Sequence, residues 1–260
     1  MKWIVITGGG SGIGRGLVQH FSETYLILTC GRRYQALDET KAGARNPQNV
    51  TILSADIGDS EQRSRFSSAL PTDAQVVLLV QNAAIGDPSA DFLDVSSQHL
   101  EEALKVNVVA PMAIAQAFLP ALRAGKGRIL HLGTSVAHRP QAGTLTYGVT
   151  KMAFYRLYQQ LNAEKDNTGV PCGSLSPGMV DTEGVVDHVA KARACGLPHV
   201  NFFDHARSKG MFTPMSKLME FVEYLMALEE DEFTSKEWKF SEWAKKPSTD
   251  PSSAAFATTS

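Results

Sequence analysis

Cysteine is scarce in this chain: Cys30, Cys172 and Cys195 lie too far apart to suggest a disulfide framework or a metal-ligand set, and they suit a reducing compartment. Charge of one sign is scarce as well. A net charge of −2 over 260 residues gives no general electrostatic reason to bind nucleic acid or an anionic membrane. Unbroken apolar runs of membrane-spanning length are missing, because Asn107, Pro111, Gln116 and Pro120 interrupt the apolar stretch 103–122, which therefore reads as a buried or interface helix. The first strand pattern begins at Trp3 and leaves no room for a signal peptide, so the expected location is the cytoplasm. No internal repeat is present, and the common dinucleotide fingerprint Gly-x-Gly-x-x-Gly does not occur at the first glycine cluster.

What is present is a rhythm. Strand-like runs at 3–7, 25–30, 50–54, 76–81, 127–133 and 170–175 alternate with helical patterns, which predicts a single-domain α/β fold with helices on both faces of a doubly wound parallel sheet of Rossmann type. With 43% apolar residues the chain can bury one large core, so residues 1–246 are expected to form one domain. Residues 183–213 break the rhythm with His188, His199, His205, Phe202, Phe203, Met211 and Phe212, ahead of a helix near 214–228. The histidine spacings fit no compact helical ligand pair, and no metal is expected. The stretch 247–260 is small, polar and proline-broken, and is expected to be disordered.

Two local patterns carry chemistry. The run Trp3–Thr7 leads into Gly8-Gly-Gly-Ser-Gly-Ile-Gly14, and Ile13, Leu17, Val18 and Phe21 then follow at helical spacing. A glycine turn that opens a helix after the first strand offers free backbone N–H groups and a positive dipole end to a phosphate, with Gly8, Ser11, Gly12, Ile13 and Gly14 as the loop. The second pattern is Tyr147 and Lys151, four residues apart and therefore on one helical face. An ammonium beside a phenol is expected to lower the tyrosine pKa and make it a general acid/base.

Taken in order, Thr7-Gly-x-x-x-Gly-x-Gly14, Asn82-Ala-Ala84, Asn107, Tyr147-x-x-x-Lys151 and Pro177-Gly178 resemble the motifs of the short-chain dehydrogenase/reductases, over residues 3–240. The resemblance implies hydride transfer between a nicotinamide cofactor and a small-molecule carbonyl substrate. In it Asp56, with Ile57 beside it, resembles the aspartate that holds the adenine, and Asn82, Ala83 and Ala84 the segment that steadies the central strand. Asn107 resembles the asparagine that bends its helix and holds a water linking Lys151 to solvent. Tyr147 would be the proton donor, and Lys151 would hold the nicotinamide ribose. Pro177, Gly178, Val180 and Thr182 would hold the carboxamide, and 183–213 would be the substrate lid. The helices 98–124 and 146–165 would form a homodimer or homotetramer interface.

The resemblance leaves finer choices to the residues. Gly31 stands where a carboxylate would accept from the ribose 2′-OH of NAD, and Arg32 and Arg33 follow it, which favours the 2′-phosphate of NADP(H). An ungapped match of Gly127–Thr134 puts Thr134 where the family has its carbonyl-polarising serine, thirteen residues before Tyr147, with Ser135 as the rival. The segments Pro177–Glu183 and Leu225–Ser235 look most like the sepiapterin reductase and benzil reductase branch. Sepiapterin reductases grip their pterin with an aspartate on the last strand, whereas Trp238-Lys-Phe-Ser241 has no carboxylate there. A ketone or diketone held by Phe202, Phe203, Met211 and Phe212 is therefore expected ahead of a pterin. The remaining alternative is a non-catalytic NADP(H)-binding regulator, against which the intact Tyr147 and Lys151 argue.

Overall fold

The structure is a computed structural model that describes residues 1–245; the expected tail 247–260 lies outside the described residues. Seven strands form one sheet: β1 (Trp3–Thr7), β2 (Leu26–Gly31), β3 (Val50–Ser54), β4 (Val76–Gln81), β5 (Arg128–Leu132), β6 (Cys172–Ser176) and β7 (Glu237–Lys239). Their order is β3-β2-β1-β4-β5-β6-β7 and every pairing is parallel. Twelve helices connect and cover them: α1 (Gly12–Phe21), α2 (Tyr34–Ala42), α3 (Ser60–Ser67), α4 (Ser97–Leu104), α5 (Ala110–Gly125), α6 (Leu145–Ala163), α7 (Lys165–Thr168), α8 (Glu183–Ala194), α9 (Val200–Ser208), α10 (Met215–Ala227), α11 (Glu230–Thr234) and α12 (Phe240–Trp243). This is the Rossmann-type α/β architecture that the alternating pattern predicts.

Strand periodicity divides the core. Ile4 and Ile6 of β1 face one layer, where Leu17, Val18 and Phe21 of α1 meet Leu218, Phe221 and Leu225 of α10. Val5 faces the other layer, with Phe66 of α3 and Ile114, Phe118 and Leu122 of α5. Because both faces are covered, the strands read as near-continuous apolar runs rather than alternating ones. Each large side chain buried in this way contributes roughly 1.5–3 kcal/mol.

The chain leaves β1 toward β2 and β3 on one side and resumes at β4 on the other, so the order reverses between β1 and β4. A crevice opens outside the carboxyl ends of the strands at such a switch point. Beyond it, α4 runs through one π-helical turn, Lys105–Val109, into α5. By length and composition Ser97–Gly125 could cross a membrane; in the fold it packs one face against β4, α3 and α6. The segment 183–213 consists of two helices, α8 and α9, with a small hydrophobic cluster of their own around Ala192, Leu197 and Val200, separate from the two main layers.

The glycine turn depends on close approach. A Cβ on Gly14 would lie 2.1 Å from the Gly8 carbonyl oxygen and 2.6 Å from Asn82 Nδ2, and neither backbone nor clamped amide can give way easily. Gly14→Ala should therefore cost on the order of 1–3 kcal/mol in urea unfolding. Gly184→Ala, whose new methyl would meet nothing closer than 3.9 Å, should stay within about 0.5 kcal/mol. Equal stability of the two variants would contradict the packing described for the turn.

Candidate active site

A cleft of about 320 Å³ lies at the switch point, lined by Gly8, Ser11, Gly12, Ile13, Arg32, Arg33, Asp56, Ile57, Asn82, Ala83, Ala84 and Thr182. Each of these was singled out by the sequence. Gly8 and Gly12 have φ of 76° and 53°, a left-handed backbone that favours glycine. The Gly8 and Gly9 N–H groups donate to the Cys30 carbonyl, which ties the turn to β2. Asn82 ties it to β4: its Nδ2 donates to the Thr7 and Gly8 carbonyls at 2.9 and 3.1 Å, while Thr7 Oγ1 accepts from the N–H groups of Asn82 and Ala83, both at 3.1 Å.

The helix that follows is left ready for an anion. Ser11 at the N-cap of α1 makes no side-chain cap, and no acidic residue occupies the first turn. Orphan N–H groups at a helix start need a partner, and a phosphate suits both them and the dipole. Thr182 packs against Gly12 at 3.3 Å from its would-be Cβ and caps α8 by accepting from the Val185 N–H at 3.3 Å. Pro177, Gly178 and Val180 sit just behind it, held by Thr213, whose Oγ1 donates to the Pro177 carbonyl at 2.8 Å and whose backbone bridges Val180. These groups fit a dinucleotide. Sequence reasoning missed Thr213, Ala36, Ala55, Ile85 and Val106; the last four line the cleft with apolar surface only, and nothing but their position at strand ends and helix faces marks them.

The second cluster stands where α6 faces the ends of β4 and β5. The Thr134 hydroxyl lies near enough to the Tyr147 phenol to favour its charged form, and it accepts from the Val136 N–H at 3.4 Å, whereas Ser135 begins a short 3-10 turn and is exposed. Lys151 is buried, with Nζ donating to the Leu132 carbonyl at 2.8 Å and lying 4.8 Å from the centre of the Phe154 ring. Asn107 occupies the middle of the π-helical turn. Its amide accepts from the Ile85 N–H at 2.9 Å and donates to the Ile85 carbonyl at 2.8 Å and to Thr150 Oγ1 at 2.9 Å. Thr150, one turn after Tyr147, is a further partner that the sequence did not announce.

The electrostatics correct one expectation. Lys151 does not lower the Tyr147 pKa here: burial raises it, and the hydrogen bond from Thr134 only partly opposes that rise. The ammonium is directed at Leu132 and stands 5.8 Å from the phenol ring centre. Burial pulls Lys151 itself down to about 8. Next to it on β5 is His131, wholly buried, stacked on Phe154 at 4.2 Å and pulled down to about 3 by burial and then by the Lys151 charge. His131 is thus neutral under ordinary conditions and adds no charge to the lysine's surroundings.

The segment 183–213 brings together residues that its sequence spacing kept apart. His188 and His199, eleven residues apart, meet with Nε2 atoms at 3.1 Å, and His188 Nδ1 is 2.9 Å from Ser89 Oγ. Among the described residues, no set of three or more such side chains forms a metal-ligand group. Of the expected substrate-facing residues, Phe203 packs edge-on against both imidazoles and Phe212 lies under Arg207, while Phe202 and Met211 are exposed. The last strand does carry a carboxylate, one residue before the stretch that sequence comparison marked. Glu237 is part-buried, with Oε2 2.9 Å from His138 Nε2 and Oε1 accepting from Ser174 Oγ at 3.5 Å, so its carboxylate is already engaged.

Comparison with known proteins agrees with this geometry. The family model described as short chain dehydrogenase matches residues 2–192. An uncharacterised oxidoreductase of Staphylococcus epidermidis is 31% identical over 70% of this chain and 79% of its own. Sulfoacetaldehyde reductase of Chromohalobacter salexigens is also 31% identical, over 69% of this chain and 73% of its own. A short chain dehydrogenase/reductase structure from Saccharomyces cerevisiae superposes with a TM-score of 0.79, covering 98% of this chain and 99% of that one at 18% identity. A nucleotide cleft at the switch point, the Tyr147–Lys151 pair beside it and a family model spanning most of the chain lead to one conclusion: the chain belongs to the short-chain dehydrogenase/reductase family of oxidoreductases.

Proposed function

We propose that this protein is an NADPH-dependent carbonyl reductase that delivers hydride to a ketone or diketone, with Tyr147 as the proton donor. The observation that carries the proposal is the placement of the Thr134 hydroxyl beside the buried Tyr147 phenol, with the buried Lys151 amine on the same helix. The bound dinucleotide supplies the hydride. Gly8, Ser11, Gly12 and Ile13 would hold its diphosphate, Asp56 and Ile57 the adenine end, and Val180 and Thr182 the carboxamide. Tyr147 passes its proton to the substrate oxygen, and Thr134 donates a hydrogen bond to that oxygen as negative charge builds there. Lys151 donates toward the ribose.

Arg32 and Arg33, exposed at the adenine end of the cleft, support NADPH over NADH, because a guanidinium matches a phosphate. The carboxylate of the last strand is occupied by His138 and Ser174, which supports a ketone ahead of a pterin. Half-exposed Val109, Met112, Val149 and Met152 on the π-helical turn, α5 and α6 support a homodimer or homotetramer. Three free thiols suit a cytoplasmic location.

Tyr147→Phe removes only the acidic hydroxyl and should abolish turnover while NADPH still binds. Thr134→Val should lower kcat about 10²-fold or more, and Ser135→Ala only mildly. A crippled Ser135→Ala beside an active Thr134→Val would transfer the carbonyl-polarising role to Ser135. The pH profile is a separate check: since burial lowers the lysine pKa to about 8, kcat/KM for NADPH in the reductive direction should be flat below that pH and fall as pH rises through it, as the ammonium is lost. Lys151→Arg should carry the limb upward and out of range; an unchanged limb would assign it to another group. Replacing Arg32 and Arg33 together with alanine should erase most of the preference for NADPH, roughly 1.5–3 kcal/mol for charge-assisted bonds.

A further inference from the structure

Glu183, the first residue of α8, lies between Thr182 and Gly184, which both line the cofactor cleft. Its carboxylate spans two guanidiniums: Oε1 is 3.3 Å from Arg15 Nη1, and Oε2 is 3.9 Å from Arg33 Nη2. The two arginines are not equivalent. Arg15 is fixed by further contacts: Nε donates to Thr40 Oγ1 at 3.2 Å, and Nη2 donates to the Gly10 carbonyl at 2.7 Å and lies 3.6 Å from Glu39 Oε2. Arg33 is well exposed, and Glu183 is the single ion-pair partner it has among the described residues. Glu183 is therefore anchored to Arg15 and reaches across the cleft mouth to the more loosely held Arg33.

We infer that Glu183 is a cofactor-specificity residue: its carboxylate competes within the chain for the Arg33 guanidinium that a 2′-phosphate would take. The inference rests on the assignment of Arg33 to the 2′-phosphate of NADPH. A carboxylate and a phosphate are rivals for one guanidinium fork. A dinucleotide bearing the 2′-phosphate must part Arg33 from Glu183 before it can use Arg33, whereas one bearing a free 2′-OH makes no such demand. The competition lowers the preference for NADPH without abolishing it. Because Glu183 opens α8, the same exchange also alters a contact that ties the lid to the cofactor half of the molecule. An exposed ion pair is weak, so the effect is small and screened by salt.

The test is a double-mutant cycle on Glu183→Gln and Arg33→Ala, with NADPH and NADH binding to the full-length protein followed by nicotinamide fluorescence at low and high salt. Glu183→Gln should tighten NADPH about threefold at low salt, leave NADH nearly unchanged, and lose its effect in the Arg33→Ala background. An equal tightening of NADPH and NADH would mean that Glu183 merely repels any dinucleotide, and would overturn the inference. So would a gain that survives in the Arg33→Ala background. If the unmutated protein prefers NADPH but Glu183→Gln leaves that preference unchanged, the competition is absent while the cofactor assignment stands. If the unmutated protein shows no preference, the cofactor assignment fails and the inference with it.

Discussion

The hydrogen bonds from Asn82 to the first glycine turn are the constraint on which the site depends. In a doubly wound sheet the strands on either side of the switch point diverge into opposite halves, and here that point falls between β1 and β4. Asn82 closes the gap by donating to two successive carbonyls of β1 and its turn, while Thr7 returns the favour by accepting from the two N–H groups that follow β4. Bonds of this kind are individually worth only ~1 kcal/mol net. Their value is geometric: they hold the Gly8 carbonyl where Gly14 can pack on it, which sets the direction of α1 and hence the place of its unpaired N–H groups. The same loop leads through Ile85 to Asn107, so one clamp also positions the bend that faces α6.

The catalytic cluster sets burial against charge. Burial raises the phenol of Tyr147 and lowers the amine of Lys151, so both neutral forms gain from the same environment. A dry site is useful because a developing charge on substrate oxygen is stabilised more strongly where water is absent. The neighbouring Thr134 hydroxyl partly offsets the effect of burial on Tyr147, and Leu132 offers the lysine a carbonyl. His131, neutral and packed on Phe154, keeps that side of the lysine apolar without adding a competing cation.

The sequence conveyed the fold well because both main signals were periodic or compositional. Apolar runs of strand length between helical patterns mark six of the seven strands within a residue or two; β7, three residues long, is set by its pairing with β6 rather than by a pattern of its own. The glycine turn, Asp56 and Arg32 could be placed because each follows the end of a strand. What could not be read was anything produced by tertiary approach: the meeting of His188 with His199, the burial that reverses the expected shift of Tyr147, and the seat of Glu183 between two arginines. The pairing of a tyrosine with a lysine at helical spacing is legible, but their protonation is set by solvent exclusion, which spacing does not encode.

The segment 183–213 carries a hydrophobic cluster of its own. The two main layers bury side chains from helix to sheet, whereas α8 and α9 pack chiefly on each other around Ala192, Leu197 and Val200. Their links outward include Leu197 packed against Gly143 and several polar contacts: Lys191 to Asp87, His188 to Ser89, and Arg15 and Arg33 to Glu183. Arg207 to Asp181 adds a tie back to the segment that leads into α8. Apolar packing holds an element through many contacts at once, but exposed ion pairs are weak singly and can be exchanged for others of the same sign. A ligand that brings its own charge can compete for one such link without disturbing the apolar cluster of α8 and α9, because exposed ion pairs exchange singly whereas buried side chains are held by many contacts at once.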